Sequence, residues 1–167
     1  MIYVLERGAA ESTAETASPL EETLVDILDL SLQADQVHWS VDRSGSKRVH
    51  RLLDDLLAQY RLWQDRLSSR VGDPSKDRLA TLAATTPLEF LPAGKVRDQD
   101  VVAFLEGRFT TVAGRVRARL ETAGAHDPAA RDLLAAIADG LDKQGWMLRA
   151  YLDARLPHAP TGLSGAS

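Results

Sequence analysis

His50 and Asp54 stand four residues apart, one turn of a helix, and Asp65 follows on the same segment. With Val49 set at zero and one residue every 100°, the three fall at about 100°, 140° and 160°. They therefore share a flank beside the apolar stripe of one helix. An imidazole with carboxylates at this spacing suits a cation such as iron, which takes both nitrogen and hard oxygen ligands. A solvated polar face has the same pattern, so spacing leaves both open. His38 lies upstream and is followed by Trp39, a pair that also fits the edge of a core. The chain has four histidines and no cysteine. That excludes disulfides, cysteine-held zinc, iron–sulfur clusters and thiol nucleophiles, so any metal ligands must be His, Asp or Glu.

These residues need elements to position them. The chain has 167 residues, 44% apolar and 26% charged, which fits one ordinary globular domain. The apolar period is helical nearly throughout. A first helix opens at Ser18-Pro19 with the stripe Leu24, Ile27, Leu28, Ser31, Ala34, Val37 and Val41, and is broken by Asp42-Arg43-Ser44-Gly45. A second spans about 46–70 on Val49, Leu52, Leu53, Leu56, Leu57, Tyr60, Trp63 and Leu67. A Pro-rich connection of about 25 residues follows, long for a compact domain, with a short helix expected at 79–86. A third helix spans about 98–123 on Val101, Val102, Leu105, Phe109, Val112, Val116 and Leu120, with Gly124 placed to end it. The fourth opens at Asp127-Pro128 on Leu134, Ile137, Leu141, Leu148 and Leu152. No strand is expected. The predicted fold is all-α, a ferritin-like four-helix bundle with one long crossover. Small polar residues mark 1–18 and 157–167 as flexible tails around a domain at 19–156.

The segment Leu30-Ser31-Leu32-Gln33-Ala34-Asp35-Gln36-Val37-His38-Trp39-Ser40-Val41, followed by Val49-His50-Arg51-Leu52-Leu53-Asp54, resembles the Dps family of mini-ferritins. That family carries His-Trp-Asn-Val, a second histidine twelve residues after the first, and an acid four residues later; here Ser40 replaces the Asn. Leu141-Asp142-Lys143-Gln144-Gly145-Trp146-Met147-Leu148-Arg149-Ala150 is similar to the family's last helix. The resemblance covers about 19–155. It implies a hollow dodecamer with an iron-oxidising site shared across a two-fold axis. One subunit would supply His38, His50 and Asp54, and its partner Asp65 with a Glu one turn on. Fe(II) would be oxidised there by hydrogen peroxide or oxygen, and the ferric product stored inside. The resemblance also implies acid-lined pores that admit iron, for which Asp127 and Asp132 are the candidates; plain helix capping also accounts for Asp127. Glu121 and His126 lie in the same region.

The expected Glu is missing: Ser69 stands there, between Arg66 and Arg70. A hydroxyl is a poor substitute for a carboxylate on iron. The loop Arg43-Ser44-Gly45-Ser46-Lys47 also departs from the family. Two functions remain: a ferroxidase with a weakened four-ligand site, or a non-catalytic or weakly active nucleoid-associated cage. Asp35, one turn before His38, is a further candidate ligand. Trp39, Trp63 and Trp146 fit core or interface positions, with Trp39 also placed to back the iron site.

Charge bears on partners. The net charge is −4, and the first 18 residues hold Glu6, Glu11 and Glu15 against Arg7 alone. Twelve copies at −4 would sum to roughly −48, and phosphate binding needs clustered cations. Direct DNA binding is expected to be weak or absent. No apolar run is long enough to span a membrane, and the short apolar start lacks the form of a signal peptide, so a cytoplasmic location is expected.

Overall fold

A computed structural model describes residues 17–41, 47–71, 97–123 and 127–154. They form four helices: α1 (Pro19–Ser40), α2 (Lys47–Val71), α3 (Asp98–Thr122) and α4 (Pro128–Asp153). No strand occurs among the described residues, and no helix there is long and apolar enough to cross a membrane. The expected helix at 79–86, the loop at 43–46, Gly124 and His126 lie outside the described residues, as do nearly all of both tails.

Local chemistry accounts for the helix starts. Ser18 Oγ accepts the Glu21 amide at 3.2 Å while Glu21 Oε2 accepts the Ser18 amide at 2.7 Å, which satisfies two otherwise orphaned donors. Pro19 occupies the first turn, where its missing N–H costs nothing. Asp127 repeats the device for α4, accepting the Ala130 amide at 2.9 Å ahead of Pro128. Arg97 precedes α3 without a side-chain cap.

Ion pairs report the helix directions. Glu22, Asp26 and Asp29 on α1 meet Arg119, Arg115 and Arg108 on α3 in reverse order, so α1 and α3 run antiparallel. His38 near the end of α1 meets Asp54 near the start of α2, so these two are also antiparallel. Glu106–Arg149 and Arg117–Asp142 set α3 against α4 in the same way. α2 and α3 thus run in one direction, as the long crossover requires.

All four helices feed one core. Ile27, Leu30, Leu53, Tyr60, Leu67, Leu105, Phe109, Leu134, Ile137, Leu141 and Leu148 are fully buried. Tyr60 meets the Phe109 ring edge-on at 6.1 Å and the Trp63 ring at 5.9 Å. Its hydroxyl has no hydrogen-bond partner, and burial pushes the phenol well above its ordinary range. The core differs from the expected stripes in detail. Leu28, Ser31, Leu52, Leu120 and Leu152 are only half-buried, whereas Leu30 and Leu133 are buried. α1 is covered on two sides, by α2 and α3, so its buried face is wider than one stripe. Two tryptophans are not core residues. Trp63 is buried, but Trp39 is 78% and Trp146 66% exposed.

Sequence reasoning missed the polar seam between α1 and α3. Asp26 is buried and accepts Arg115 Nη1 at 2.8 Å and Arg119 Nη1 at 2.6 Å. Arg119 Nε also donates to Glu22 at 2.8 Å. Further along, Arg108 donates to both Asp29 Oδ2 and Gln33 Oε1 at 2.9 Å, and Gln33 Nε2 closes the triangle on Asp29 at 2.9 Å. Buried charges persist only when paired in this way. The seam fixes the register of α1 on α3, and through α1 it positions His38.

Candidate metal centre

The junction of α1 and α2 gathers three of the expected site residues. His38 sits in the last turn of α1, and α2 runs antiparallel so that its first turns face it. His38 Nε2 lies 3.2 Å from Asp54 Oδ1. The His38 and His50 rings meet edge-on, centroids 4.9 Å apart at 78°. His50 and Asp54, one turn apart on α2, each approach His38. The cluster sits at the surface: the His38 side chain is 28% exposed and that of Asp54 66%.

His50 Nε2 is sealed from solvent and has no hydrogen-bond partner among the described residues. A sealed nitrogen without a partner is costly, and an imidazole nitrogen beside a second histidine and a carboxylate can ligate a metal cation. Among the described residues, no three His, Asp or Glu side chains close around a common point for a metal ion. His38 and Asp54 are held against each other.

Asp65 does not join this cluster. It is exposed three turns further along α2, so it can serve a metal at this junction only from another subunit. Ser69 is also exposed, and its hydroxyl donates to the Arg66 carbonyl at 2.9 Å. Arg66 and Arg70 are exposed on either side. Asp35 is half-buried one turn before His38. Leu32, 64% exposed, and Trp39 stand two turns apart on α1 and leave an apolar strip open beside the histidines.

The two candidate pore acids lie together at the far end of the bundle. Asp127 caps α4 and sits 3.9 Å from Arg70. Asp132 is exposed and lines a surface cleft of about 320 Å³ with Arg66, Ser69 and Arg70. Both carboxylates therefore have arginines close by, a feature that sequence position did not suggest. Glu121 is exposed near the end of α3.

The ferritin-like domain family matches residues 18–156. The chain is 28% identical over 151 residues to "DNA protection during starvation protein 2" of Deinococcus radiodurans, covering 89% of this chain. It spans 63% of that relative's length. It is 29% identical over 140 residues to the "DNA protection during starvation protein" of Agrobacterium fabrum, covering 81% of this chain and 86% of that protein. Among solved structures, the crystal structure of Dps92 from Deinococcus radiodurans superposes with a TM-score of 0.72 at 29% identity, covering 86% of each chain.

Proposed function

The chain belongs to the Dps mini-ferritins of the ferritin-like family, and from that premise we propose that it oxidises Fe(II) at a site shared by two subunits and stores the ferric product in a hollow cage. The convergence of His38, His50 and Asp54 at the α1–α2 junction carries this reading. Asp65 of a second subunit, related by a two-fold axis, supplies the fourth ligand. Such an axis is the common solution for homo-oligomers and makes two equivalent sites per pair. The exposed strip of Leu32 and Trp39 next to the histidines supports a second copy there. A dodecamer is the assembly we propose, built from a domain at 19–156 with tails at 1–18 and 157–167.

The chemistry is an electron transfer from two Fe(II) ions to one hydrogen peroxide. The O–O bond breaks, two protons are taken up, and two waters and two Fe(III) result. His38 and His50 bind Fe(II) through imidazole nitrogens, so bound metal displaces the close contact between His38 and Asp54. The carboxylates of Asp54 and Asp65 offset the rising charge as Fe(II) becomes Fe(III), stabilising the product more than the reactant. Oxygen is the alternative oxidant. Asp127 and Asp132 are our candidates for the acids at an iron inlet, with the pull on cations diluted by Arg66 and Arg70.

A second reading rests on Ser69. Its hydroxyl is engaged with the Arg66 carbonyl, and two arginines flank it, so the fifth ligand position repels a cation. In that reading the cage is weakly active or non-catalytic and associates with the nucleoid. We favour the ferroxidase because the chain carries His38, His50, Asp54 and Asp65, four of the five expected ligand residues. The discriminating experiment is stopped-flow absorbance after mixing anaerobic Fe(II) with peroxide. Oxidation above a protein-free blank that is lost in His38→Ala supports the enzyme; a rate equal to the blank establishes the inert cage. Cytoplasmic location and weak or absent direct DNA binding complete the proposal.

A further inference from the structure

Arg66 and Arg70 stand one turn apart near the end of α2 and line one side of the surface cleft of about 320 Å³. Ser69 lies between them, and Ala129, Asp132 and Leu133 from the first turns of α4 form the other side. We propose that this cleft binds inorganic phosphate in a protonated form. The site shares Asp132 with the candidate iron inlet but does not depend on that role.

The two guanidinium groups supply the attraction. The Arg66 side chain has no hydrogen-bond or ion-pair partner among the described residues. Arg70 Nη1 lies 3.9 Å from Asp127 Oδ1, beyond hydrogen-bond reach, and that oxygen already accepts the Ala130 amide. Both forks therefore keep N–H donors open, and their geometry matches the oxygens of a phosphate. Asp132 is the one acid on the lining, so the cleft keeps an excess of positive charge.

The remaining polar groups decide which anion fits. Ser69 donates its hydroxyl proton to the Arg66 carbonyl at 2.9 Å, so it offers the cleft only lone pairs. The Asp132 carboxylate is likewise an acceptor only. An anion without a proton meets repulsion from Asp132 and leaves both acceptors unpaired. Two cationic donors beside two acceptors call for an anion that can also donate. At neutral pH free phosphate keeps at least one proton, whereas sulfate and a phosphodiester keep none. Phosphate alone among the three satisfies both halves of the cleft.

The test titrates sodium phosphate into the iron-free assembled protein at pH 7 by calorimetry, with sodium sulfate at matched ionic strength as the comparison. Saturable binding of one phosphate per chain is expected, with sulfate weaker by about tenfold. Arg66→Gln and Arg70→Gln should each weaken phosphate by about tenfold, the loss of one charge-assisted contact. Asp132→Asn turns an acceptor into a group that can donate, so it should strengthen sulfate and bring the two anions within about twofold. Circular dichroism and particle size check that each variant folds and assembles. Absence of saturable phosphate binding to the parent protein overturns the proposal. Equal binding of sulfate and phosphate by the parent also overturns it, showing a general anion patch. Unchanged phosphate affinity in both arginine variants does so as well, because the ion would then lie elsewhere.

Discussion

Replacing glycine by alanine inside a helix ordinarily stabilises it by about 0.5–1 kcal/mol, because alanine loses less backbone entropy on folding. Three helical glycines in this protein separate that effect from packing. Gly107 and Gly114 on α3 have nothing within 4 Å of the space a Cβ would occupy, whereas at Gly140 the Cβ would overlap two carbons of Trp63. Trp63 is 4% exposed and stacked near Tyr60, so its ring has no solvent to retreat into. Overpacking of this kind costs about 1–3 kcal/mol, and two contacts under 3 Å place it at the upper end. Subtracting the propensity gain leaves Gly140→Ala destabilising by about 2 kcal/mol. For a chain of this length that lowers Tm by about 4–8 °C, while Gly107→Ala and Gly114→Ala each raise it by about 1–4 °C. Thermal unfolding by circular dichroism, at one fixed protomer concentration, reads all three. A rise in Tm for Gly140→Ala like that of the other two would refute the packing of Trp63 on α4.

Asp26→Ala should cost about 3 kcal/mol in chemical denaturation, the low end for breaking a buried pair, because Arg119 keeps Glu22 and Arg115 reaches water. Asp142→Ala, which breaks the half-exposed pair with Arg117, should cost less than about 1 kcal/mol in the same assay. Ser69→Glu restores the missing carboxylate and should speed peroxide-driven Fe(II) oxidation by about tenfold, since even outer partners of metal ligands are worth about 10–100-fold. Supercoiled plasmid should migrate unretarded with the iron-free protein at about 0.15 M salt; retention at that salt would show a cationic surface unsuspected from the tails.

Helix starts were legible because Ser18-Pro19 and Asp127-Pro128 carry their own chemistry, and capping depends on residues three positions apart. The α1–α3 seam was not. Asp26 and Asp29 look like any polar residues of an amphipathic helix until Arg115 and Arg108, far away in sequence, are brought against them. The cluster of His38, His50 and Asp54 was partly legible. The spacing of His50 and Asp54 showed a shared flank, but only the family resemblance tied them to His38, which reaches them through a helix reversal. Asp65 shares the flank of His50 and Asp54 but lies three turns further along α2, away from the cluster of one chain. Exposure of Trp39 and Trp146 was illegible for another reason: an indole raises the expectation of burial by its type, while its place on the helix decides whether the bundle covers it.

Sharing of the iron site between subunits is tested most directly by complementation. His38→Ala and Asp65→Ala each break every site when assembled alone. In a mixed two-fold pair one site loses both residues and the other keeps both. Random co-assembly of equal amounts should therefore restore about a quarter of the parent's peroxide-driven Fe(II) oxidation. Activity no greater than the mean of the two separate variants, in particles shown to contain both chains, would contradict a site built from His38, His50 and Asp54 of one subunit and Asp65 of the next.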